Sequence, residues 1–77
     1  MRQRQTISRD AFWLLAELAR LRPNSKGCRG ALLVYCEGLT QMEAALRVGC
    51  DQSSVAHPCS VLKRVRQVVD SLIRELA

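Results

Sequence analysis

The chain is poor in the groups that do chemistry. Among 77 residues there is one histidine, one tryptophan, one tyrosine and one phenylalanine. The lone His57 has no serine and acid at a spacing that would build a hydrolytic triad. No glycine-rich loop can cradle a phosphate group, and no pair of acids sits in an apolar setting. An enzyme is therefore not expected, nor is a cofactor. No apolar run approaches the roughly 18 residues of a membrane span. The N-terminal MRQRQTISRD also lacks the apolar segment of a secretory signal. These two absences place the expected site of action in the cytoplasm, away from membranes. No internal repeat, low-complexity stretch or convincing strand can be read.

The four cysteines, Cys28, Cys36, Cys50 and Cys59, contain no CxxC pair and match no common zinc spacing. Without an export signal the thiols are expected to stay reduced. Cys36, Cys50 and Cys59 fall at apolar positions of the helical patterns below, where a free cysteine packs as a small hydrophobe. No metal ligand is assigned. Cys59 lies two residues from His57, which on a basic helix is poor ground for a thiol nucleophile.

Apolar residues make up 48% of the chain, enough for one small domain with a thin core that a partner chain would help to cover. The net charge of +5 suits a polyanionic partner. Its distribution says more: Lys63, Arg64 and Arg66 cluster near the end, and Arg2, Arg4 and Arg9 near the start. Residues 1–7 read as a basic arm.

The pattern predicts an all-α bundle of four to five helices. Ser8 caps a first helix through about Arg22, with Ala11, Phe12, Leu14, Leu15, Leu18, Ala19 and Leu21 on a broad apolar stripe. Pro23 ends it, and Asn24 or Ser25 caps a second helix that stops at Gly38. That helix is apolar nearly all round and should be central. Trp13 and Tyr35 lie in these stripes and are assigned to the core. Thr40 and Glu43 form a capping box at the start of a third helix, Gly49 ends it, and Asp51 caps the next. Over 59–77, Leu62, Val65, Val69, Leu72 and Leu76 recur three and four apart, widened by Val61, Val68 and Ile73. This stripe either packs on the domain's own core or forms a dimer face.

Residues 40–64 carry the most information. Counted from Gln41 as first, Ala45 is fifth, Gly49 ninth and Val55 fifteenth. A helix-turn-helix needs a small residue where its helices cross, a left-handed residue in its short turn and an aliphatic pin on the second helix. The three offsets match. Pro58, eighteenth in that frame, removes a helical hydrogen bond and crowds the carbonyl of Ser54. A kinked but continuous helix is favoured over a short one ending near Ala56.

From Ala31 onward the chain resembles the TrfB/KorA family of plasmid transcriptional repressors, and more distantly the PapB-type regulators of adhesin genes. The resemblance rests on YCEG (Tyr35 to Gly38), on Gln41, Ala45 and Gly49, and on SSVAHPCSVLKRV from Ser53 to Val65. It implies an all-helical fold with a helix-turn-helix that represses promoters as a homodimer, in a family common on plasmids and other mobile elements. Pro58 stands where that family has a small or helix-forming residue. The chain also ends soon after the motif, without the separate C-terminal dimerisation region of the longer repressors.

In the helix-turn-helix frame the outer face of the second helix holds Gln52, Ser53, Ala56, His57 and Ser60. Gln52 can hydrogen-bond adenine through both ends of its amide, and Ser53, His57 and Ser60 can reach bases or phosphates. Thr40 and Gln41 open the preceding helix, where amides and the helix dipole suit a phosphate. Lys63, Arg64 and Arg66 would add sequence-independent affinity, with Arg2 and Arg4 reaching a neighbouring groove. Asp51 is a cap rather than a base contact. The expectation is a dimeric reader of double-stranded DNA, with a protein-interaction module built on the same bundle as the rival.

Overall fold

The computed structural model describes residues 6–77, so Arg2 and Arg4 lie outside the described residues. Four helices and no strand make up the described chain: α1 (Arg9–Leu18), α2 (Lys26–Glu37), α3 (Gln41–Val48) and α4 (Gln52–Leu76). α2 and α4 form the central pair, and α1 and α3 each pack on that pair but not on one another.

Each helix start is fixed by a local side chain. Ser8 Oγ accepts from the amide of Ala11, and Ser25 Oγ from the amide of Cys28. Thr40 accepts from the Glu43 amide while the Glu43 carboxylate accepts from the Thr40 amide, closing the expected box. Such caps contribute about 1 kcal/mol each. Asp51 takes the extended N-cap conformation of α4 but makes no side-chain cap hydrogen bond. Gly38 and Gly49 end α2 and α3 with φ of 73° and 77°, the left-handed geometry that favours glycine.

α1 is shorter than its stripe predicts. It stops at Leu18 rather than near Arg22, because Arg20 turns left-handed at φ 56°. The Arg20 amide donates to Glu17 O and the Leu21 amide to Ala16 O, a Schellman ending made with an arginine in place of glycine. Part of its apolar stripe also stays outside the core. Trp13 is exposed, with its ring edge-on to Phe12 at 5.2 Å between centroids, and Leu14 and Leu18 face outward. Tyr35 is half-buried and donates its hydroxyl to Cys59 O at 3.2 Å, tying α2 to α4.

The core is Phe12, Ala16, Cys28, Ala31, Ala44, Ala45, Val55, Cys59 and Leu62. Its small residues let the helices approach closely. A β-carbon on Gly30 would lie 2.6 Å from Val55 Cγ2, and one on Gly27 only 2.4 Å from the backbone oxygen of Ser54. That second contact bears on Pro58. α4 runs continuously through Pro58, which lacks the N–H that would bond Ser54 O. The freed oxygen faces the open side of Gly27, and Pro58 itself is buried against the start of α2. The short-helix alternative therefore does not occur.

All four cysteines are free, with Cys28 and Cys59 buried and Cys36 and Cys50 half-buried. Burial pushes the Cys59 thiol up to about 11 and raises Cys28 in the same direction. Cys36 is also raised, first by burial, against the lowering charge of Arg9. These thiols resist ionisation, the opposite of what a nucleophile or metal ligand needs. No helix of the described residues is long and apolar enough to cross a membrane.

Candidate nucleic-acid interface

α3 and α4 are joined by a short turn of Gly49, Cys50 and Asp51. The amides of Gly49 and Cys50 both donate to Ala45 O, closing the end of α3. Across the turn, Lys26 Nζ donates to Gly49 O at 3.3 Å, so the start of α2 braces the turn from outside. Val55 is wholly buried and pins the first turns of α4, and Ala45 beneath it is 3% exposed.

With Val55, Cys59 and Leu62 turned inward, the opposite side of α4 is fixed by helical geometry. At about 100° per residue, Gln52, Ser53, Ala56, His57, Ser60, Lys63 and Arg64 fall within an arc of about 140°. All of these are exposed except Ala56, which is half-buried. From Gln52 to Arg64 they extend along roughly 18 Å of helix. No acidic residue occurs between Gln52 and Val69, so the face is neutral at its start and positive at its far end. Its donors and acceptors point to solvent, and its cations Lys63 and Arg64 make no ion pair among the described residues.

Two expected members sit differently. Arg66 is half-buried and lines the groove between α1 and α4, and its charge acts on the Tyr35 phenol. It falls about one sixth of a turn from Lys63, on the side toward Leu62, and nearly half a turn from Arg64. The start of α3 is also less open to an anion than expected. Thr40 and Gln41 are half-buried, and the Glu43 carboxylate already holds the Thr40 amide. A phosphate there would meet a negative charge. Arg9, counted with the basic N-terminus, pairs with Glu37 at 3.3 Å on the exposed surface.

The structure adds residues to the face. Gln67 lies at the centre of the same arc and is exposed. Lys26 places a cation beside the α3–α4 turn, and α2 has no acid in its first turn. Helical phase could have shown Gln67 from sequence. Nothing local in the sequence connects Lys26 with Gly49, because that proximity arises from the crossing of α2 and α4.

Chemically, the face offers bidentate amides, hydroxyls, one imidazole and two fixed cations on a single rigid helix. A pocket of about 310 Å³, lined by Leu21, Ser25, Gly27, Cys28, Ser54 and Pro58, adjoins the face at His57. Among the described residues no group of three or more His, Cys, Asp or Glu side chains is gathered to hold a metal. No protein-family profile matches the chain, nor does any curated protein or solved structure.

Proposed function

We propose that this chain is a sequence-specific double-stranded DNA-binding regulator of transcription, a repressor that acts as a homodimer on an inverted repeat, of the TrfB/KorA kind that it resembles. The observation that carries this reading is the acid-free outer face of α4, with Gln52, Ser53, His57, Ser60, Lys63 and Arg64 in one arc beside a three-residue turn. The first turns of α4 enter the major groove. Gln52 and Ser53 read base edges, with Gln52 on adenine. His57 and Ser60 lie deeper along the helix, and Lys63 and Arg64 contact phosphates at the groove wall. Gln67 and Lys26 extend the phosphate contacts. Two such helices about 34 Å apart read successive major grooves on one side of the duplex. Repression follows from covering promoter DNA in the cytoplasm, without catalysis or cofactor.

Fluorescence anisotropy with a selected duplex tests the assignment. Gln52→Ala should cost about 1–3 kcal/mol on that duplex and little on unrelated DNA. Lys63→Ala and Arg64→Ala should weaken both alike and each lower the slope of log affinity against log salt by about one. Equal losses on both duplexes for Gln52→Ala would remove it as a base reader.

A second reading, a protein-interaction module, draws on Met42 and Leu46. They are one turn apart on α3, 60% and 79% exposed, a small apolar pair that DNA would not need. A protein partner held there would be lost on Met42→Ser with Leu46→Ser, while Gln52→Ala left it bound.

A further inference from the structure

α4 divides into two halves with different surroundings. Leu62 is buried and Val65 and Val69 are half-buried against the bundle, but every residue from Asp70 to Ala77 is exposed. The last two turns carry Leu72, Ile73 and Leu76, at 55%, 59% and 77% exposure. Short helical segments in water draw most of their stability from tertiary packing, and these turns bury no residue against the rest of the described chain. Beside their base, α1 and α4 enclose an apolar groove of about 540 Å³, floored by Ile7, Ala11, Leu15 and Val69 and walled by Leu14 and Leu18.

We propose that the occupant of this groove is a second copy of the chain, with the last two turns of each α4 lying in the α1–α4 groove of the other. The proposal deepens the dimeric reading above by naming the paired surface, and it stands without DNA. Three observations favour a second copy. The tail and the groove adjoin one another in the same chain, so a two-fold axis beside residues 69–72 brings each tail to the other groove in a closed, self-complementary contact.

The charges also fit. Glu17 and Asp70 line the groove with Arg66, and neither acid has an ion-pair partner among the described residues. Arg74, in the tail, makes a 3.5 Å hydrogen bond to Ser71 Oγ and no ion pair among the described residues. Crossing the tails brings Arg74 to the two acids of the partner's groove.

The area suits a weak dimer. Leu14, Leu18, Leu72, Ile73 and Leu76 are all more than half exposed. At about 100 Å² per large aliphatic side chain they leave roughly 300 Å² open in each copy, and roughly 600 Å² in a pair. Homodimer interfaces are about 65% apolar, so this corresponds to a total of roughly 900 Å², in the range of weak, transient interfaces. Because α4 is one continuous helix, pairing at its end would fix the separation of the two reading faces at its start.

Sedimentation velocity on the full chain without DNA tests the proposal, with circular dichroism confirming that each variant remains helical. The expected result is a dimer with a micromolar dissociation constant. Leu14→Glu on α1 and Ile73→Glu on α4 should each weaken it at least tenfold, since both side chains face solvent in the single chain. Arg74→Glu should weaken it too, and adding Glu17→Arg and Asp70→Arg should recover it. A wild-type chain that stays monomeric at about 100 µM, a concentration at which micromolar affinity is saturating, overturns the proposal. So does a dimer broken by Ile73→Glu but indifferent to Leu14→Glu, because the tails would then pair without the groove. Loss of sequence preference on Gln52→Ala with the dimer intact would bear on DNA reading alone.

Discussion

The crossing of α2 and α4 sets where the outer face of α4 sits, and at that crossing Gly30 faces the side chain of Val55. An alanine there would place a β-carbon 2.6 Å from Val55 Cγ2. Favourable carbon–carbon contacts lie at about 3.5–4.0 Å, so the helices would have to separate by roughly an ångström. Val55 cannot move aside, because it is wholly buried and its β-branched side chain has essentially one rotamer in a helix. Overpacking of this kind costs about 1–3 kcal/mol. Exchanging glycine for alanine inside a helix returns about 1 kcal/mol. The net effect of Gly30→Ala is then a loss of about 1 kcal/mol, or roughly 4–8 °C in Tm for a domain of this size. In a Val55→Ala background the clash is gone and only the helical gain remains. The same substitution should there raise stability by about 1 kcal/mol, which makes the coupling between the sites about 2 kcal/mol. Thermal and urea unfolding of the four proteins, followed by circular dichroism, reads both numbers. A Gly30→Ala change that stabilises both backgrounds equally would refute the tight crossing.

Gly27→Ala meets a backbone oxygen rather than a methyl group, so it should be destabilising even in the Val55→Ala background, read by the same unfolding curves. Arg20→Gly relieves a left-handed arginine at φ 56°, and an unfolding curve should show a gain of about 1 kcal/mol. Raising the pH should destabilise the fold from about pH 9 upward. The buried Cys59 thiol keeps its proton in the folded state to about 11, while the unfolded chain releases it near its ordinary value of 9.0. Stability is therefore full below that ordinary value and lost as pH rises toward the folded one. Cys28 and Tyr35, also raised chiefly by burial, act in the same direction. Cys59→Ala should flatten the alkaline limb of a Tm–pH profile, and an unchanged limb would contradict the assignment.

The helix starts were legible because they depend on neighbours in sequence. Ser8, Ser25 and Thr40 cap as their side-chain chemistry predicts, and Gly38 and Gly49 end helices where only a left-handed residue fits. The Ala45–Gly49–Val55 spacing also located the short turn and the buried pin. The end of α1 was not legible, since Ala19 and Leu21 continue an apolar pattern and an arginine is an unusual left-handed residue. Trp13 was misassigned for a related reason. The α1 stripe is broader than the surface available to bury it, and Phe12 and Ala16 take the interior places. Arg66 reads as one run with Lys63 and Arg64, yet helical phase turns it toward Leu62 and the α1 groove. The roles of Gly27, Gly30 and Lys26 arise from the α2–α4 crossing, a tertiary fact with no local signature.

The most direct measurement is selection of bound duplexes from a randomised DNA pool at about physiological ionic strength, where binding to phosphates alone is already weakened. A short inverted repeat should be enriched, with half-sites one helical turn or a small multiple apart, and Gln52→Ala should blur one position in each half-site. Recovery of unselected sequence, with only salt-sensitive binding or none, would contradict the assignment of the α4 face as a reader of DNA.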